Sequence, residues 1–230
     1  MLGSVHEWRV QVGGDEIRAV LDLADKDEPR RLFVFAHGAG GHMADRGMLA
    51  LTSQFCARGL HVVRFNFPYR QKGGRQPDAM PRLQECIAAV ASRAAEEAAP
   101  QQLIIGGRSM GGRAASMLAA DGFACAGLLL LAYPLHPAGK PEKLRDRHLP
   151  RITAPVLCVN GTRDSLCRRD LMDDVINRRS TNWQMHWLEG ADHGFHVTKA
   201  SGRTDADILD EIGMTTAAWL SSLALRLPQA

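Results

Sequence analysis

The run Leu103-Ile104-Ile105-Gly106-Gly107-Arg108-Ser109-Met110-Gly111-Gly112 limits how this chain can fold more than any other stretch. An apolar strand signal passes into a helix-like segment reaching Ala120, and a serine framed by glycines stands at the junction. Gly107-x-Ser109-x-Gly111 fits a sharp strand-to-helix turn that strains its serine and exposes the hydroxyl. By straining its serine, such a turn requires small residues on both sides of it, here Gly107 and Gly111. It also sets the hydroxyl at a helix N-terminus, where free N–H groups and the helix dipole favour negative charge. Two other glycine-loop readings fail on the residues that would do the chemistry. A phosphate-binding loop counted from Gly106 needs lysine where Gly112 stands. A dinucleotide fingerprint at Gly38-Ala39-Gly40-Gly41-His42-Met43 ends on Met43 instead of glycine, with no acidic residue suitably placed beyond it.

Around this turn the chain alternates. Trp8–Val12 and Ile17–Leu23, separated by Gly13-Gly14-Asp15, read as a hairpin, and a polar turn over Asp25–Arg30 follows. Leu32–Ala36, His61–Phe65, Leu103–Gly106, Gly127–Ala132, Val156–Asn160 and Gln184–Leu188 read as strands. Helical stripes appear at Met48–Arg58, at Leu83, Cys86, Ile87, Val90 and Ala94, near Arg168–Arg179, and at Ile208, Ile212, Trp219 and Leu223. The pattern predicts an α/β fold: a mostly parallel sheet of about eight strands, helices on both faces and an N-terminal antiparallel hairpin. In such a sheet, functional residues stand just beyond the carboxyl ends of the strands.

The chain has 230 residues, no linker and no internal repeat, which predicts a single domain over residues 1–230. At 45% apolar and 23% charged residues it has the composition of a soluble globular protein. A net charge of +3 without a basic, aromatic-studded stripe argues against nucleic acid as a partner. No signal-like N-terminus or membrane-length apolar run is present. Five scattered cysteines read as free thiols of a cytoplasmic protein.

A serine hydroxyl needs a base within hydrogen-bond reach and an acid behind that base. Asp164 follows the Val156–Asn160 strand and His193 follows the last strand, giving the chain order Ser109, Asp164, His193. Asp192, next to His193 in sequence, is expected to point away from the imidazole and to cap its loop. His196 invites a metal reading, but no cluster completes a tetrahedral site, and neither a metal nor a cofactor is expected. An oxyanion would need two N–H donors: Met110, after the nucleophile, and one from His37-Gly38-Ala39-Gly40-Gly41-His42, with Ala39 first and Gly40 second.

Together with Arg64-Phe65-Asn66-Phe67-Pro68-Tyr69 and Gly190-Ala191-Asp192-His193-Gly194-Phe195, these segments resemble the α/β-hydrolases. More narrowly, they resemble a compact bacterial branch of the dienelactone-hydrolase-like group, related to a eukaryotic testis-expressed hydrolase-like protein and to a regulatory subunit of a histone acetyltransferase complex. The resemblance implies a cytosolic serine hydrolase acting on an ester, thioester or related acyl bond, with Ser109, Asp164 and His193 in the triad positions. Dienelactone hydrolases proper carry cysteine where this chain has Ser109, so lactone specificity is not implied. Some relatives are interaction subunits, which keeps a noncatalytic scaffold as the alternative function.

The segment 134–150 is short and polar, with Lys140, Lys143, Arg145 and Arg147; it predicts one short helix and no large lid. Arg70, Lys72 and Arg75 beside a single Asp78 form a basic rim that would suit anionic groups, and His37, Arg70 and Lys72 are the candidate substrate contacts. Arg64 and Arg113 are expected to pair with buried loop carbonyls or carboxylates. The expected partner is a small acyl substrate, with the protein a monomer or homodimer.

Overall fold

The computed structural model describes residues 5–25, 30–179 and 182–223. The chain opens with strand β1 (Val5–Val12) and strand β2 (Asp15–Asp22), paired antiparallel around Gly13, whose φ of 51° supplies the left-handed turn. The turn expected over Asp25–Arg30 lies largely outside the described residues. Strands β3 (Arg31–Ala36), β4 (Leu60–Phe65), β5 (Gln102–Arg108), β6 (Gly127–Leu131), β7 (Val156–Gly161) and β8 (Trp183–Leu188) complete one sheet in the order β1-β2-β4-β3-β5-β6-β7-β8. From β4 to β8 all neighbours run parallel, as the alternating pattern predicts.

The sheet is buried on both faces, so its central strands read as unbroken apolar runs. Val34 of β3 belongs to the core layer that also holds buried residues of helix α3 (Met80–Ala98), helix α4 (Met110–Ala120) and helix α5 (Arg169–Arg179). Phe33 and Phe35, one residue to either side, face helix α1 (Arg46–Cys56) and helix α6 (Asp205–Ser222). In α3 the buried residues include the Leu83, Cys86, Ile87, Val90 and Ala94 stripe that periodicity predicts. Strand β3 lies between β4 and β5, so the connections leaving β3 and β5 part at their carboxyl ends and open a crevice there.

Two local features depart from the sequence reading. The 134–150 segment holds no α-helix: Pro134, Pro137 and Pro141 interrupt it, and only a single 3-10 turn, Leu149–Arg151, forms at its end. Nor is it merely a solvated excursion, since Leu135, His136, Asp146, His148 and Leu149 are buried. His148 Nε2 lies 2.8 Å from Ser116 Oγ of α4, and Tyr133 donates its hydroxyl to the Arg145 carbonyl at 2.9 Å, which ties the segment down. The other departure is a four-residue helix, α2 (Pro68–Gln71), inside the loop after β4, started by a proline at its first position. Cys56, Cys86, Cys158 and Cys167 are buried free thiols, and Cys125 is half-buried. Among the described residues no helix is long and apolar enough to cross a membrane.

Arg64 of β4 is buried and pairs bidentately with the fully buried Asp22 of β2 at 2.6 and 2.9 Å. Its third contact is the Met43 carbonyl at 2.7 Å, and Asn66 accepts from the Met43 N–H at 2.9 Å. A pair at the seam between the hairpin and the parallel sheet therefore also fixes the loop after β3. Removing one partner of a buried pair leaves the other charge uncompensated. Arg64→Leu is expected to lower unfolding free energy in urea by about 3–5 kcal/mol, and Asp22→Leu added to it to restore part of that loss.

Candidate active site

Ser109 stands between β5 and α4 with φ 52° and ψ −115°, a conformation that side chains rarely adopt. Close packing holds it there. A Cβ on Gly107 would meet the Ala36 carbonyl oxygen at 2.4 Å, and one on Gly111 would meet the His37 and Ala36 oxygens at 2.6 and 2.7 Å. The glycines on either side of the serine thus let β5 and α4 press against the end of β3.

The structure brings Ser109, His193 and Asp164 together from the carboxyl ends of β5, β8 and β7. Ser109 Oγ lies 2.9 Å from His193 Nε2, and His193 Nδ1 lies 2.8 and 3.0 Å from the two Asp164 oxygens. Asp164 is buried, and its carboxylate accepts from the Leu166 N–H at 2.8 Å and from Asn160 Nδ2 at 3.1 Å. An ionised carboxylate only accepts, so the imidazole proton belongs on Nδ1 and Nε2 is left to receive the serine hydrogen. Asp192 is turned away: its Oδ1 accepts the Gly194 and His196 N–H groups at 2.7 and 2.9 Å and closes the loop, while His196 pairs with Asp205.

Asn160 was not predicted as a site residue. Its amide bonds both backbone groups of Tyr133 across from β7 and passes its remaining N–H to Asp164. The available signal was a polar residue ending an apolar strand four positions before the acid.

Across the crevice, the N–H groups of Ala39, Gly40 and Met110 meet no acceptor among the described residues. Ala39 and Gly40 line the same cavity as Ser109, and Met110 begins α4. The Ala39 carbonyl is held by the Tyr69 hydroxyl at 2.6 Å; burial pushes that phenol up to about 12, so it stays a donor. His37 is the other clamp. Its ring is fully buried, with Nδ1 2.8 Å from the Gly38 carbonyl and Nε2 accepting the Phe67 N–H at 3.2 Å.

The cavity has a volume of about 460 Å³. Besides the glycine loop, Ser109 and His193, it is lined by Asp45, Met48, Arg108 and Leu166. Of the three candidate substrate contacts only His37 lines the cavity, and its side chain is fully buried, with both ring nitrogens in contact with backbone groups. Arg70 turns onto the Gly74 carbonyl at 3.1 Å, and Lys72 reaches Asp15 at the hairpin at 2.7 Å, so neither lines the cavity. Local backbone acceptors and a nearby carboxylate won over the open rim. Arg113, expected to pair, leaves its buried Nε without a partner. A groove of about 700 Å³ lies at the opposite end of the sheet, among Ala126, Pro155 and Trp183, and its lining holds no histidine or carboxylate among the described residues.

Burial pulls the His37 and His148 imidazoles down from 6.5 to about 4. Between those values the unfolded chain binds protons that the folded chain excludes, so stability falls as pH drops through this window. Urea midpoints are expected to decline steadily from about pH 6.5 to about pH 4, and His148→Gln to flatten part of that slope.

Residues 29–221 match the family model described as alpha/beta hydrolase domain. Solved structures of the same fold include an alpha-beta serine hydrolase homologue from Coxiella burnetii, with a TM-score of 0.74 and 20% identity over 94% of this chain and 98% of that one. A serine hydrolase without lid from Xanthomonas campestris gives 0.73 and 18% over 100% and 98%. A dienelactone hydrolase from Anabaena variabilis gives 0.71 and 18% over 97% and 99%. At these identities the likeness is one of fold. With the family model matched over most of its length, the chain belongs to the alpha/beta hydrolase family.

Proposed function

We propose that this protein is a serine hydrolase that cleaves an ester, thioester or related acyl bond of a small soluble substrate through an acyl-enzyme. The observation that carries this reading is the unbroken hydrogen-bonded line from Ser109 Oγ through His193 to Asp164, with both links at 2.9 Å or less. Ser109 Oγ attacks the acyl carbonyl while His193 Nε2 takes its proton. Asp164 holds the imidazole by Nδ1–H and stabilises the imidazolium that forms. The N–H groups of Met110 and Ala39, with Gly40 beside them, receive the oxyanion, and each donor contributes about 3 kcal/mol to the transition state. Collapse of the tetrahedral intermediate breaks the bond to the leaving group, which departs with the proton from His193. Water then adds to the acyl carbon, giving its proton to His193, and a second collapse frees the acid and restores Ser109.

No cofactor enters this scheme. The free thiols support a cytoplasmic setting, and the absence of an apolar lid over residues 134–150 supports a small substrate rather than a long-chain lipid.

Wild-type protein is expected to gain one fluorophosphonate adduct, mapped to Ser109 by mass spectrometry, and Ser109→Ala to gain none while its Tm stays level or rises. An unlabelled wild type would overturn the reading in favour of a noncatalytic scaffold. Asp164→Asn should lower the turnover of short-chain acyl esters by about 10⁴-fold. Asp192→Asn should retain most of it, and the reverse ranking would reassign the acid.

A further inference from the structure

The residue before the nucleophile is an arginine whose charge the fold leaves uncommitted. The Arg108 guanidinium is half-buried at the wall of the cavity that holds Ser109 and His193. It lies 5.7 Å from the Phe195 ring centroid and donates from Nη2 to the His193 carbonyl at 3.2 Å. Among the described residues it has no carboxylate within ion-pair distance, in contrast to Arg64, Arg82 and Arg203. Among the described residues Nε and Nη1 make no hydrogen bond, neither is sealed from solvent, and the residue lines the cavity. Burial keeps this guanidinium below the usual arginine range, as expected of a cation held partly out of water without a counter-ion.

The carboxylates around it are otherwise engaged. Asp164 is taken by His193, Leu166 and Asn160. Asp192 is taken by the Gly194 and His196 N–H groups. Asp45, on the cavity rim, is exposed to water and accepts from the His42 N–H at 2.6 Å. These charges help to keep Arg108 protonated, but none occupies its fork. Met48 and Leu166 line the same cavity and add apolar side chains to it.

We propose that Arg108 determines specificity by receiving a carboxylate carried by the substrate, so that the preferred substrates of this hydrolase are acyl compounds with a second, anionic group. The assignment rests on the serine-hydrolase reading above. A planar fork with free N–H donors meets a carboxylate through two parallel hydrogen bonds. Placed one residue from the nucleophile, it would fix the substrate close to the attacking oxygen. The anion belongs to the acyl or to the alcohol side of the scissile bond, and the probes distinguish the two cases.

The test uses the full chain and two matched pairs of esters. In 4-nitrophenyl glutarate against 4-nitrophenyl pentanoate the carboxylate is on the acyl side. In 4-carboxyphenyl acetate against its methyl ester it is on the alcohol side. With enzyme-free hydrolysis subtracted, kcat/KM is expected to favour the anionic member of one pair by about tenfold or more. Arg108→Gln should erase that preference, and Arg108→Lys, which keeps the charge but loses the fork, should retain part of it. The ratio within a pair is the decisive quantity, because Arg108 also holds the His193 carbonyl and its loss slows both members alike. Ratios near one in both pairs for wild type, or a ratio unmoved by Arg108→Gln while both rates fall, would overturn the assignment and leave Arg108 a prop for the histidine loop. Fluorophosphonate labelling of the same samples separates the two levels. Labelled Ser109 without an anion preference sinks the Arg108 assignment alone. An unlabelled protein that turns over none of these esters sinks the hydrolase reading, and the assignment with it.

Discussion

Ser109 sits in a backbone conformation that costs of order 1–3 kcal/mol, and the end of the sheet is built so that no relaxed alternative fits. The Ala36 and His37 carbonyls stand where side chains on residues 107 and 111 would have to go. The close approach of β5 and α4 to β3 therefore requires both glycines, and the strained serine is what remains between them. Other parts of the crevice depend on this contact. The glycine loop leaves β3 at the point where α4 begins, which brings the N–H groups of Ala39 and Met110, without acceptors among the described residues, to the same end of the sheet. His193 arrives from β8, on a loop that Arg108 grips from the neighbouring side of the elbow.

Support for the site is layered in a way that the residues nearest the chemistry do not reveal. Asp164 is oriented by Asn160, and Asn160 by the backbone of Tyr133 beyond β6. The Ala39 carbonyl is fixed by Tyr69, and the first turn of the glycine loop by the His37 ring. Each support is a neutral, buried hydrogen-bonding group with its partners met, which gives rigidity without another buried charge. Arg108 differs in this respect: its fork is only partly used.

Elements and their order were legible in the sequence because periodicity and glycine placement are local signals. The hairpin, the parallel strands, the α3 stripe and the carboxyl-end positions of Ser109, Asp164 and His193 could all be read in that way. What could not be read depended on distance in space. Nothing near Lys72 in sequence announces Asp15, and nothing near Arg70 announces that its guanidinium will turn back onto Gly74. The His37 ring looked available beside a glycine-rich loop, but Phe67, thirty residues on, captures it. In the 134–150 segment, composition suggested a solvated excursion. Its charged residues concealed Leu135 and His148, of which the first joins the core and the second meets Ser116 of α4.

The Asp22–Arg64 pair bears on where this protein can be said to begin. The family likeness spans residues 29–221 and leaves the β1–β2 hairpin outside it, as though the hairpin were an ornament on a self-sufficient unit. Yet β2 supplies the carboxylate that neutralises a buried guanidinium of β4, and that guanidinium in turn holds Met43 in the loop beside the crevice. A chain trimmed to residues 29–221 would keep the cation and lose its counter-charge. The stretch matched by the family model and the stretch that holds this buried pair thus have different boundaries, and the line between them cuts through an ion pair.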